Sequence, residues 1–235
     1  MMHKSAMRSP VHQPYPTLPQ LSDDERGARA QLAYERLKAR RSCRAFADTP
    51  VPREVIEWAI RAAGTAPNGA NHQPWHFAVV GSPDKKRAIR EAAEAEERRF
   101  YGEEGSPPKA SEEWLGALDP IGTDAAKPFL EAAPWLVVCF AQRKGGIAED
   151  GETQNYYVNE SVGIACGMLI ATLHEAGLAT LTHTPSPMGF LREICERPAH
   201  EKPLMIIVVG HPAPDATVPE HALKKKPLSQ IASWL

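Results

Sequence analysis

The chain has 235 residues, 43% of them hydrophobic and 24% charged, which is enough for one large soluble domain with a sizeable core or for two small ones. Lys and Arg number 27 against 29 Asp and Glu, a net charge of −2. That balance excludes polyanion capture by bulk charge and points to a small molecule or another protein as partner, not nucleic acid.

Residues 1–22, dotted with Pro10, Pro14, Pro16 and Pro19, predict an extended arm outside the core, with residues 23–235 as the folded domain. The arm lacks the apolar core of a secretory signal. The longest apolar stretches, 135–141 and 204–209, are too short to span a membrane. Cys43, Cys139, Cys166 and Cys195 are scattered without a CxxC pair, so a cytoplasmic protein with reduced thiols is expected, without disulfides, zinc or any other metal.

Asp23 or Asp24 is expected to cap a first helix with Ala28, Leu32, Ala33 and Leu37 at helical spacing. A second begins at Pro52, carries Val55, Ile56, Ala59, Ile60 and Ala63 on one side, and closes at Gly64. Breaker-rich residues 65–74 read as loop, and residues 75–80 as a strand. Ser82 then caps a charged helix running to about Phe100. Residues 102–123 contain Gly105, Pro107, Pro108, Gly116, Pro120 and Gly122 and read as one long irregular insertion, of the kind that serves as a lid. Asp124 begins a short helix, 135–141 is a buried strand, and 154–176 is a long helix stopped by Gly177. Gly163, Ala165, Cys166, Gly167 and Ala171 are expected on its packed side. A strand at 178–182, a helix at 188–196 and a fully buried strand at 204–209 complete an α+β layered architecture.

Four groups of residues can carry chemistry. Arg40, Arg41, Ser42 and Arg44 crowd the end of the first helix, which suits either capture of a phosphate or a solvated basic helix end. Thr182, His183 and Thr184 lie at a strand end, where layered sheets commonly hold ligands; the plain alternative is a strand end with a Thr-Pro turn, where a lone His183 is more often an ordinary surface or satisfied residue than a base. Glu97 and Tyr101, four apart on one helix face, could meet Lys127 across the insertion and read an amino acid's ammonium and carboxylate; that helix also bears many solvated glutamates. The loop containing Pro67, Asn68, Gly69 and Ala70 offers backbone amides to a ligand.

The blocks RRSCRAF, TAPNGANHQPWHF, NYYVNESVGIACG, TLTHTP, RPAHEKPLM and ATVPEHALKKKPLSQI span about residues 35–232. Together they resemble the nitroreductase superfamily of FMN flavoproteins and, through NESxxIACG, RPAHEK and KPLxQI, its soluble iodotyrosine deiodinase branch. The resemblance implies an intertwined homodimer with a central mixed sheet flanked by helices and FMN at the subunit interface. It assigns Arg40, Arg41, Ser42, Arg44, Pro67, Asn68, Thr182, His183, Thr184 and Lys225 to FMN, with Thr184 as the catalytic hydroxyl at flavin N5. Lys225 stands where the family has arginine, and Asn68 where it has serine. Substrate is assigned to the Ala70 amide and to a clamp of Glu97, Tyr101 and Lys127 on a lid at about 97–127. The implied activity is reductive dehalogenation of halotyrosines, iodotyrosine to tyrosine plus iodide, by stepwise electron transfer from reduced flavin, with NAD(P)H or a reductase protein as electron source. A broad NAD(P)H-dependent FMN nitroreductase and a non-catalytic halotyrosine-binding flavoprotein are the rival readings.

Overall fold

The computed structural model describes residues 10–103, 105, 107–147 and 152–235. The chain divides into two compact units, one ending at Lys38 and one comprising Ala39–Leu235. The first contains most of α1 (Asp23–Ala39), which buries no residue. Its N-terminus is held by Ser22 rather than by either aspartate: the Glu25 amide donates to Ser22 Oγ at 3.3 Å and the Ser22 amide donates to Glu25 Oε2 at 2.8 Å. This reciprocal pair was legible as Ser-x-x-Glu.

The second unit is built on four strands, β1 (Trp75–Val80), β2 (Trp135–Gln142), β3 (Ala179–His183) and β4 (Glu201–Gly210), in the spatial order β1-β2-β4-β3. All three strand pairs are antiparallel. The parallel component expected of a mixed sheet is confined, among the described residues, to a single bridge between Ser42 and Thr180. β2 and β4 are central and covered on both faces, which is why they read as unbroken apolar runs. Val137, Cys139, Ile207 and Val209 face one layer, which contains Ile56, Ala59 and Ala63 of α2 (Arg53–Ala63) and Val162, Leu169 and Leu173 of α6 (Val158–Glu175). Leu136, Val138, Phe140, Ile206 and Val208 face the other, with Ile89 and Ala93 of α3 (Pro83–Tyr101), Leu130 of α5 (Phe129–Ala132) and Leu191 of α7 (Phe190–Ile194). The period-two switch along each strand thus builds a helix–sheet–helix sandwich.

Several expectations are corrected. The insertion is not irregular throughout: α4 (Glu112–Leu118) lies within it, capped by Ser111, whose hydroxyl accepts from the Trp114 amide. The helix expected from Asp124 starts only at Phe129, so Lys127 precedes α5 rather than lying on it. On α6, Ala165 and Cys166 are buried as expected, but Gly163 and Gly167 are exposed. Together with Ile164, 46% exposed, they form a small apolar stripe on the outer face. No helix among the described residues is long and apolar enough to cross a membrane.

Candidate active site

The segment after α1 runs extended along the outer edge of β3 and then beside the chain just beyond β4. The Cys43 amide donates to Thr180 O, and farther on the Ala47 amide donates to His211 O, both at 3.0 Å. This anchoring divides the basic cluster between two cavities. Arg40, Arg41 and Ser42 line one of about 310 Å³. Arg44 reaches another, of about 230 Å³, also lined by Glu97, Tyr101, Lys127, Thr182, His183 and Thr184. Seven predicted site residues, drawn from four separate stretches of chain, therefore meet in one cavity.

Glu97 and Tyr101 project from the last turns of α3, which Gly102 ends in a left-handed conformation at φ 77°. Lys127 comes from the facing segment, which is tied down by its own amide donating to Glu94 Oε1 at 2.8 Å. The Lys127 ammonium lies 3.3 Å from Glu97 Oε2, with the two side chains only 3% and 13% exposed. It also donates to Thr123 Oγ1 and Asp124 O and sits 5.7 Å from the centre of the Tyr101 ring. Tyr101 donates its hydroxyl to Thr123 O at 3.3 Å. Burial pushes the Glu97 carboxyl above its ordinary range, against the opposing pull of Lys127. Burial likewise raises the Tyr101 phenol. In this arrangement each charge of the clamp satisfies the other, and a zwitterion entering between them would replace one ion pair with two.

Residues at the end of β3 and just beyond it alternate. Thr182 and Thr184 are exposed toward solvent, whereas His183 is buried on the opposite face, its ring edge-on to Phe129 with centroids 5.6 Å apart. The two threonines can meet a ligand with hydroxyls, while the His183 side chain is part of the packed wall. Its Nε2 is buried without a hydrogen-bond partner. Burial, with the Lys127 and Arg44 charges adding to it, pushes its pKa down to about 3. It is therefore neutral in the native protein at neutral pH but takes up a proton near pH 6.5 when unfolded. Stability is complete above that value and should fall as the pH drops from 6.5 toward 3, by roughly 1.4 kcal/mol per unit. Denaturant titrations across this window should show the slope in the native protein and a flatter dependence in His183→Phe; equal slopes would remove His183 as the cause.

The remaining predicted residues lie elsewhere. Pro67 and Ala70 are exposed in the loop before β1. The Asn68 side chain is used within that loop: its amide donates to Ala66 O at 3.0 Å and its oxygen accepts from the Gln73 amide at 2.8 Å. Three residues with β-carbons, Ala70, Asn71 and Gln73, have φ values of 50°, 57° and 52°. This is left-handed geometry costing roughly 1 kcal/mol or more apiece, which surrounding contacts must sustain. Lys225 is exposed and donates to Ala222 O at 3.0 Å. None of these four lines either cavity. Conversely, Trp114 and Leu118 of α4 do line the smaller one and were not anticipated. The available signal was Ser111 followed by two glutamates, a helix-start pattern hidden among prolines and glycines.

The donor set suits a flavin mononucleotide. Arg40, Arg41 and Ser42 offer guanidinium and hydroxyl donors for a phosphate dianion. Arg44, Thr182 and Thr184 offer donors for the polar edge of a ring system. Comparison with known proteins agrees. The nitroreductase family model matches residues 37–211. The iodotyrosine deiodinase of Haliscomenobacter hydrossis is 46% identical over 207 residues, covering 88% of this chain and 91% of its own. Iodotyrosine deiodinase 1 of Homo sapiens is 45% identical over 204 residues, covering 86% and 68%. A crystal structure of oxidized iodotyrosine deiodinase bound to FMN and 3-iodo-L-tyrosine superposes with a TM-score of 0.68 at 28% identity, over 77% of this chain and 90% of that one. A nitroreductase-like protein of Streptococcus mutans shares the fold at a TM-score of 0.63 and 18% identity, over 88% and 99%. The chain belongs to the nitroreductase family.

Proposed function

We propose that this protein is an FMN-dependent oxidoreductase that removes halide reductively from halotyrosines, converting iodotyrosine to tyrosine and iodide. The observation that carries this reading is the buried Glu97–Lys127 pair beside Tyr101, in the same cavity as Thr182 and Thr184. A general nitroreductase acting on uncharged aromatics has no use for an ammonium and a carboxylate binder in one closed site. Bound FMN supplies the electrons, delivered stepwise, and the chain supplies position and electrostatics. Arg40, Arg41, Ser42 and Arg44 hold the cofactor's phosphate and ribityl region, and Thr184 donates to its ring edge. Lys127 takes the substrate carboxylate, Glu97 and Tyr101 take its ammonium side, and the Ala70 amide donates to its phenolate. Residues of about 97–127, with Trp114 and Leu118 on α4, act as a lid that excludes water.

The active unit in this reading is a homodimer. Pro67, Asn68, Ala70 and Lys225 are absent from both cavities of one chain, which supports their delivery to the site by a second copy. The exposed stripe of Gly163, Ile164 and Gly167 on α6 offers a close-packing surface for it. NAD(P)H or a reductase protein restores the reduced cofactor, and the protein works in the cytoplasm. The test is halide release from iodo-, bromo- and chlorotyrosine by the reduced, purified holoenzyme. We expect stoichiometric halide and tyrosine from a yellow dimer. Rapid reduction of nitroaromatics without any preference for halotyrosine, or tight halotyrosine binding without halide release, would each overturn the assignment.

A further inference from the structure

We propose that Asn155 is a positioning residue for recognition of the substrate's phenolic oxygen, because it braces from outside the left-handed loop that carries the Ala70 amide. This inference rests on the functional reading above, and specifically on the role of that amide. Asn155 is 2% exposed and has polar partners at both ends of its side chain. Its Nδ2 donates to Gln142 O at 2.9 Å, and its Oδ1 accepts from the Gly146 amide at 3.0 Å and lies 3.0 Å from His72 Nδ1. Because the amide oxygen can only accept, His72 carries its proton on Nδ1. His72 in turn closes the turn, its backbone amide donating to Gly69 O at 3.0 Å. The next residue, Tyr156, presses on the same turn, since its carbonyl oxygen lies only 2.8 Å from where a β-carbon on Gly69 would stand.

The brace is itself anchored in the sheet. Gln142, at the end of β2, accepts from Asn155 through its carbonyl, donates its backbone amide to Pro74 O at 2.9 Å, and donates Nε2 to Glu201 Oε1 at 2.9 Å. Glu201 is 1% exposed and takes two 2.7 Å bonds from Arg197. Burial works against its negative charge, but these bonds win and hold the carboxyl below its ordinary range. The RPAHEK motif, which lies outside both cavities, thereby acquires a purpose. Its Arg197 and Glu201 begin a polar chain, buried at Glu201 and Asn155, that runs through Gln142 and Asn155 to His72 and fixes a loop whose own backbone preferences oppose its shape.

The test compares binding of a fluorinated tyrosine, whose carbon–halogen bond resists reduction, with binding of phenylalanine, which keeps the zwitterion and the ring but has no phenolic oxygen. Both are titrated against the FMN-loaded dimer by the change in flavin absorbance. The native protein should prefer the fluorotyrosine. In Asn155→Ala this preference should shrink by on the order of tenfold, the worth of one hydrogen bond to a charged oxygen, while phenylalanine affinity stays within about twofold. His72→Ala, which removes the same contact from the loop side, should have the same effect, and the double variant should lose nothing more. An undiminished preference in either single variant overturns the proposal while leaving the deiodinase reading intact. A general loss of structure would weaken both ligands together and leave the ratio unchanged, which also overturns it. Absence of any preference in the native protein would instead refute the role given to the Ala70 amide.

Discussion

Replacing Lys127 with alanine should cut halotyrosine affinity and turnover by the equivalent of about 2–5 kcal/mol, the usual penalty for truncating one partner of a buried charge pair. The geometry makes this the largest expected effect on substrate recognition. Lys127 is almost fully buried, and its ammonium lies 3.3 Å from Glu97. Without it, the substrate carboxylate meets no cation at that end and Glu97 is left as an uncompensated buried acid. Glu97→Gln should act on the ammonium side with similar severity. Because burial already holds the Glu97 carboxyl above its ordinary range, and because only the ionised form pairs with an ammonium, kcat/KM for halotyrosine should fall as the pH drops through that raised value. Its acid limb should therefore lie above the usual carboxylate range and vanish in Glu97→Gln. Plain halophenols carry neither charge, so they should be poor substrates of the native protein and nearly indifferent to both substitutions. Steady-state kinetics on the two substrate classes decides the matter: halotyrosine turnover undiminished in Lys127→Ala, or an equal loss for halophenols, would eliminate the clamp.

The sequence was most readable where one physical demand dominated. β2 and β4 are covered by helices on both faces, so almost every residue must be apolar, and the runs ending in Ala141 and Val209 stand out from any neighbouring stretch. The pairing of Glu97 with Tyr101 in one cavity was readable for a different reason: the two are one helical turn apart, and that spacing survives whatever the insertion does. Where two demands competed, the reading lost accuracy. The glycines and prolines of residues 102–123 hid the seven residues of α4, since breaker density measures chain reversal and says nothing of a short capped helix between two breakers. Small residues on α6 looked like packing residues because smallness permits close approach, yet Gly163 and Gly167 face outward, where only a partner could use it. Asn68 and His183 show a third limit. Motif position brings a residue to a site, but only the hydrogen bonds within the Asn68 loop and the alternation along β3 reveal which side chains are already committed elsewhere.

Thr184→Ala should keep its flavin and lose selectivity for dehalogenation. The cofactor is gripped in our reading by Arg40, Arg41, Ser42 and Arg44, none of which the substitution touches, so the purified variant should remain yellow with one FMN per chain. Thr184 differs from its neighbour His183 in facing outward, on the same side of β3 as Thr182 and at the wall of the cavity that holds the clamp. A hydroxyl there can donate to the ring edge of the flavin, and it does so to greatest effect when a stacked substrate and a closed lid remove competing water. In our reading stepwise delivery of single electrons depends on that donor, whereas reduction of a nitro group by hydride transfer does not. Removing the hydroxyl should therefore lower halide release from iodotyrosine by roughly three- to tenfold, the worth of one neutral hydrogen bond. Nitroaromatic reduction by the same preparation should fall less or rise, and Thr184→Ser should restore the native ratio. Both rates measured on matched samples of equal flavin content provide the check: a parallel loss of the two activities, or a serine variant no better than alanine, would show that Thr184 contributes shape to the pocket and no donor to the chemistry.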